Sequence, residues 1–178
     1  MEDPLLLVQL AEKLRGISDV VILVVSEGVG AERVAREAKS RALPNLRVLP
    51  FRSYEIYGNV LASADVLLAM VGAQAGVLFV PSKVTSYLCA GRPIVLSAPW
   101  QNLACTTIHE SGGGRVVPPG DAAAMTDAVL AFLNDDDLRK QAGALARSYA
   151  ERTFEISTIT DRFERLFERL HSGAPRRR

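Results

Sequence analysis

The sequence predicts an α/β fold, a mostly parallel sheet flanked by helices on both faces and followed by C-terminal helices, and three observations predict it. Short, mostly apolar runs recur at residues 19–26, 46–50, 65–70, 93–97 and 114–117, the first of them almost wholly β-branched. Helix-patterned stretches of roughly ten residues separate them, the arrangement that right-handed crossovers between parallel strands require. The first run, DVVILVVS, is almost continuously apolar, as a strand covered on both faces reads.

The elements follow in order. Residues 1–16 form an amphipathic helix with Leu6, Leu10 and Leu14 on one side beside Val8 and Ala11. The chain therefore enters on a crossover helix, and either the domain lacks its first strand or the sheet begins one strand later. After the first strand, Gly28 and Gly30 open a helix that ends near Leu43 and Pro44. Further helices are expected over 53–64, 82–91 and 102–111, with Gly112, Gly113 and Gly114 as a helix stop and strand lead-in. The whole is a Rossmann-like domain. Asp121 is a plausible N-cap for a helix whose stripe is Met125, Ala128, Val129, Phe132 and Leu133. Leu138, Ala142, Leu145 and Tyr149 repeat that stripe. The last helix, 157–171, carries Ile159, Phe163, Leu166, Phe167 and Leu170 opposite Arg162, Glu164, Arg165, Glu168 and Arg169. Such a stripe wants a surface, either its own sheet or a neighbouring domain. Residues 1–171 are read as one domain, and 172–178 as a disordered basic tail.

Composition narrows the partners. At 178 residues with 48% apolar content, the chain can bury one layered core and is short for two. Lys and Arg number 21 against 20 Asp and Glu, so no basic excess points to nucleic acid. Cys89 and Cys105 form no metal-ligand pattern with His109 or His171 and read as free thiols in a reducing cytoplasm. Neither a metal nor a bound cofactor is expected. No stretch approaches the ~20 apolar residues of a membrane span, and the start, Met1-Glu2-Asp3-Pro4, is acidic where a secretory signal is basic. A cytoplasmic protein, at most peripheral to the inner face of the plasma membrane, is the expectation.

Ligands of an open parallel sheet bind beyond the C-terminal strand ends, which selects the loops 27–30, 50–54, 71–83 and 98–103. The third is the most informative. Pro81, Ser82 and Lys83 open a helix continued by Val84, Tyr87 and Leu88, so backbone amides, a dipole end, a hydroxyl and an ammonium group converge where a diphosphate can be held. Ser86 faces the same side one turn on, within reach of a ribose hydroxyl. The blander alternative makes Ser82 an N-cap and Lys83 a solvated charge. Gly28 and Gly30 form a turn or allow backbone approach to a ligand; a third glycine of the dinucleotide fingerprint is missing. His109, between Ile108 and Glu110, has no neighbours that support a general base.

The order of these motifs resembles the C-terminal, donor-binding domain of retaining glycosyltransferases with two Rossmann-like domains, the GT-B fold, family 4. VILVVSEGVG is similar to that family's strand and glycine loop, and NLRVLPFRSYEIYGNVLASADVLLAM to its next strand, helix and strand. VPSKVTSYLCAGRPIVLS is similar to its donor helix, in the PSK form of bacterial polysaccharide enzymes, and the segment from GGGRVV to RTF to its close. The resemblance implies that the donor diphosphate lies at Pro81, Ser82, Lys83 and Val84, ribose beside Ser86, and the nucleobase against Leu49, Pro50, Phe51 and Arg52. It departs from the family where many relatives carry two glutamates, here Leu78 and Ser86; one neutral hydroxyl bond is weaker than a charged pair by ~1 kcal/mol.

The implied function is the donor half of a transferase that moves a sugar, with retention, from a nucleoside diphosphate sugar to a cell-surface glycan or lipid-linked acceptor. No catalytic residue is assigned. Activity is expected to need an N-terminal acceptor-binding domain or partner chain. The alternatives are a non-catalytic nucleotide-binding or interaction module and a sugar epimerase, the latter disfavoured by the lack of clustered His, Asp and Glu.

Overall fold

A computed structural model describes residues 4–173 except Ala75 and Phe79. Its strands are β1 (Ile22–Val25), β2 (Leu46–Leu49), β3 (Leu67–Met70), β4 (Ile94–Ser97) and β5 (Gly114–Val117). The helices are α1 (Leu5–Lys13), α2 (Val29–Ser40), α3 (Tyr54–Ala62), α4 (Ser82–Ala90), α5 (Leu103–Ser111), α6 (Ala122–Leu133), α7 (Asp136–Phe154) and α8 (Ile156–Gly173). Every strand pairing is parallel. The expected α/β class, with helices flanking parallel strands, is what forms.

The strands do not make one hydrogen-bonded sheet. β1 pairs with β2, Ile22 opposite Leu46, while β3, β4 and β5 form a second sheet in that order, Leu67 opposite Ile94 and Ile94 opposite Gly114. Two cores follow from strand alternation. One gathers Ile22, Leu46, Val95 and Val117 under α1, α2 and α6, with Val8, Leu10 and Leu14 of the α1 segment and Met125 and Phe132 of α6. The other lies on the opposite face of the three-stranded sheet, where Ala69, Ile94 and Leu96 meet Val84, Leu88, Cys105, Ile108 and Ala146. Burial in that second core pushes the Cys105 thiol pKa up.

That division corrects the expectation for β1. Ile22 is buried, but Leu23 on the opposite face is 47% exposed, so the strand is covered on one side only. α3, the helix that follows β2, packs with α4 instead of beneath β1, and its Tyr54, Ile56 and Tyr57 are exposed.

Local signals set the helix ends. The Asp121 carboxylate accepts from the Ala124 amide at 2.9 Å, as an N-cap does. α4 ends on Gly91 in the left-handed region, φ +64°, a conformation cheap only for glycine. Asn45, buried, donates to the Ala11 carbonyl at 2.8 Å and ties the entry to β2 onto α1. Arg41 bridges Glu12 of α1 and Glu37 of α2.

Of the two fates open to the last helix, packing on its own sheet is not what occurs. Ile156, Phe163, Leu166, Phe167 and Leu170 of α8 are all exposed, and the helix packs against α7, its neighbour in sequence. The expected disordered tail lies, from Ala174 onward, outside the described residues.

Candidate functional site

The strands end at Val25, Leu49, Met70 and Ser97, and each is followed by a loop leading to a helix start. These are the four loops expected to receive a ligand, and side chains tie them in pairs. The Phe51 amide donates to Glu27 Oε1 at 3.2 Å, joining the β1 and β2 loops. The Asn102 amide group donates to the Gly76 carbonyl at 3.0 Å, and the Leu103 amide to Val77 at 2.8 Å, joining the β3 and β4 loops. Asn102 is 1% exposed and also caps α5 through Ala104 N at 2.9 Å. Asn102→Ala is expected to cost about 1 kcal/mol, through the lost cap on α5, and, by releasing the tie to Gly76, to speed proteolysis within 71–81. Denaturant unfolding and limited digestion measure both.

α4 begins at the far end of the β3 loop. Its N-cap position is Pro81, in extended backbone, and no side chain caps the helix. Ser82 is therefore not the N-cap but the first helical residue. Pro81 and Val84 are buried, the latter donating its amide to the Pro81 carbonyl at 3.0 Å, whereas Ser82 and Lys83 are exposed. Val84 and Leu88 anchor the helix in the second core. Lys83 makes no ion pair among the described residues. Of the four residues assigned to a diphosphate, Ser82 and Lys83 thus present side chains to solvent, at a dipole end that favours anions.

Ser86 lies one turn further and donates to the Ser82 carbonyl at 3.3 Å, a local bond that an incoming hydroxyl can replace. Leu49 closes β2, and Pro50, Phe51 and Arg52 follow it exposed, Phe51 by 64%. Gly28 is the N-cap of α2, with φ +88°, and Gly30 lies in that helix's first turn. A Cβ at either would meet nothing within 4 Å, so both leave backbone open to approach. Leu78, at one of the positions where relatives carry glutamate, is 82% exposed.

The end of α4 is held from behind by α7. Arg147 Nη1 donates to the Cys89 carbonyl at 2.7 Å, and Gly143 lies so close to Gly91 that a Cβ would stand 2.5 Å from its carbonyl oxygen. Sequence patterning missed this clamp, because nothing local marks Gly143 as a close approach. A shallow apolar concavity lined by Ala38, Leu43, Pro44 and Leu46 sits at the opposite, N-terminal end of β2, away from these loops. Among the described residues no group of His, Cys, Asp or Glu could hold a metal ion, and no helix is long and apolar enough to cross a membrane.

Parallel strands with helix starts gathered at one rim define a Rossmann-like α/β domain. The chain is similar in fold to the crystal structure of Anabaena HepE in complex with UDP and glucose, with a TM-score of 0.71 at 17% identity, covering 92% of this chain and 44% of that one. It is similar in the same way to sucrose-phosphate synthase from Thermosynechococcus elongatus, with a TM-score of 0.72 at 18% identity over 97% of this chain and 43% of that one.

The family model for glycosyl transferases group 1 matches residues 3–135, and the chain belongs to that family. It is 31% identical over 173 residues to a phosphatidyl-myo-inositol mannosyltransferase of Mycolicibacterium smegmatis, covering 95% of this chain and 42% of the relative. To a putative colanic acid biosynthesis glycosyl transferase, WcaI, of Escherichia coli it is 26% identical over 160 residues, 88% of this chain and 37% of the relative. The chain thus spans well under half the length of these relatives.

Proposed function

We propose that residues 1–171 form the donor-binding domain of a glycosyltransferase that takes a sugar from a nucleoside diphosphate sugar. One observation carries the proposal: α4 starts at the ligand-receiving rim with Ser82 and Lys83 exposed and no side-chain cap on its amides. Diphosphate is held there by Ser82, Lys83 and the helix end, between the flanking backbone of Pro81 and Val84. Ser86 meets a ribose hydroxyl, and Leu49, Pro50, Phe51 and Arg52 border the nucleobase. Gly28 and Gly30 let backbone approach the donor. That HepE is described with UDP and glucose supports a nucleotide at this rim.

The contribution of these residues to transfer is electrostatic. As the sugar leaves, negative charge grows on the departing diphosphate, and an ammonium group with prealigned amides stabilises it without a metal or cofactor. No general base is assigned among the described residues, and the acceptor-binding half is proposed to come from an N-terminal domain or partner chain. The acceptor is a cell-surface glycan or lipid-linked glycan, reached from the cytoplasm or the inner face of the membrane, with retention at the sugar carbon. A second reading, a non-catalytic nucleotide-binding module, is favoured by the neutral residues Leu78 and Ser86.

Thermal denaturation with UDP, GDP and ADP tests the site. One of the three is expected to raise Tm with saturation, since a ligand at a hundred times its Kd adds about 2.7 kcal/mol. No shift with any nucleotide at millimolar concentration contradicts the proposal. Donor consumption by the isolated chain is expected at the buffer rate, and turnover above it contradicts the need for a second half.

A further inference from the structure

Given a diphosphate at the start of α4, the reading on which this depends, we propose that Trp100 is the platform for the donor's sugar ring. The ring is a neutral one, held by contact instead of charge. Trp100 is the only tryptophan in the chain, and it stands 61% exposed in the β4 loop. Its backbone is tightly held. The Asn102 amide donates to the Pro99 carbonyl at 2.8 Å, and the Cys105 thiol donates to the same carbonyl at 3.2 Å, so residues 99–102 form a closed turn with Trp100 at its corner. The bonds from Asn102 to Gly76 and from Leu103 to Val77 fix that turn to the β3 loop. Val77, Leu78 and Leu103 are exposed as well. Four apolar side chains thus share one stretch of the rim, more than scattered surface residues would place there.

The occupant follows from position. β3 and β4 end side by side, Met70 opposite Ser97, and α4 begins where the β3 loop ends. Leu78 precedes Ser82 by four residues, at most about 14 Å of chain. In a nucleoside diphosphate sugar the ring carbon is bonded through oxygen to the terminal phosphorus, so a diphosphate at Ser82 and Lys83 keeps the ring within a ring's breadth of that point. The wall formed by the β3 and β4 loops is what lies there to receive it.

The chemistry of that wall selects the kind of sugar. Residues 71–81 and 98–108 include no Asp, Glu, Lys, Arg or His. An anionic sugar therefore finds no cation in either loop, and Lys83 is taken up by the diphosphate. A carboxylate brought against such a wall loses solvation without gaining a partner. The indole face, by contrast, suits the C–H side that neutral pyranoses share. Gln74 and Gln101, both exposed, offer neutral hydrogen bonds to its hydroxyls.

Because the chain has a single tryptophan, its emission reports the contact. The full chain is titrated with UDP, GDP and ADP and with UDP-glucose, GDP-mannose and ADP-glucose, following binding heat and Trp100 emission together. The nucleotide that binds is expected to leave the emission nearly unchanged, and the sugar nucleotide on the same base to shift it to the blue as water leaves the indole. Trp100→Ala should weaken the sugar nucleotide about tenfold and the nucleotide alone not at all, with Trp100→Phe restoring most of the loss. The uronate on the same base, UDP-glucuronate in the uridine case, should bind about tenfold more weakly than the neutral sugar. Three results would each overturn the proposal while leaving the diphosphate site standing. They are a sugar nucleotide that binds without moving the emission, a Trp100→Ala loss shared equally by the nucleotide alone, and a uronate bound as tightly as its neutral counterpart. Absence of binding heat with all six compounds removes the site itself, and the platform with it.

Discussion

Alanine at Gly143 or at Gly114 is expected to destabilise the domain by about 3 kcal/mol, at the upper end of the cost of overpacking. Gly143 lies within α7, where alanine would ordinarily gain about 1 kcal/mol over glycine. Here the added Cβ would stand 2.5 Å from the Gly91 carbonyl oxygen, and at Gly114 it would stand 2.1 Å from that of Ile94. Both obstacles are backbone, which cannot rotate aside as a side chain can. At Gly114 the β4–β5 ladder must open, and at Gly143 α7 must lift from the end of α4. The clash therefore outweighs propensity. Denaturant unfolding measures the loss; Gly30→Ala, in a helix with open space around it, is the control and is expected to be neutral or slightly stabilising. Changes within about 0.5 kcal/mol at both Gly143 and Gly114 would mean that the close approaches are not real.

Reversing the charge at Lys83 is expected to weaken nucleoside diphosphate binding about a hundredfold, or about 2.7 kcal/mol. A charge-assisted bond to phosphate contributes about 1.5 to 3 kcal/mol, and a carboxylate replaces that attraction with repulsion. Because Lys83 is exposed and unpaired among the described residues, Lys83→Glu should leave the unfolding midpoint nearly unchanged. Affinity and stability then separate, as they would not if Lys83 held the fold. Raising salt should weaken the native protein's binding and narrow the gap between the two, since exposed charges are screened. Isothermal titration of both proteins at two ionic strengths reads this directly, and equal affinities would remove Lys83 from the site.

Much of the fold is visible in the residue order, for physical reasons. Each strand reads as a short apolar run with Gly, Pro, Asp or Asn near its ends, and each lies within a residue or a few of its expected place; the Asp121 cap is found as expected because capping is a local bond. The exposure of one face of β1 is not legible, because a run such as DVVILVVS reports that a strand wants cover and not whether cover is present. Leu23 shows the difference, being apolar by sequence and half exposed in the fold. The Gly112-Gly113-Gly114 run is read correctly as a helix stop and strand entry. Its second role is hidden: a Cβ on Gly113 would stand 2.7 Å from that of Ala146, a contact between residues distant in sequence.

The site divides in the same way. A helix starting near PSK follows from Pro81 and the apolar spacing behind it, but which residue occupies the N-cap depends on backbone angles, and Pro81 takes that place. The exposure of Ser82 and Lys83 beside buried Pro81 and Val84 then follows from the way α4 lies on its core. The ties from Asn102 to Gly76 and from Phe51 to Glu27 join loops that sequence spacing treats as separate.

Amide chemical-shift mapping of the full chain during titration with UDP and GDP tests the central claim most directly. The largest saturable shifts are expected at Ser82 and Lys83, with smaller ones at Gly28, Gly30, Phe51 and Ser86. Saturable shifts centred instead on the concavity at Ala38 and Leu43, with the start of α4 unmoved, would contradict it.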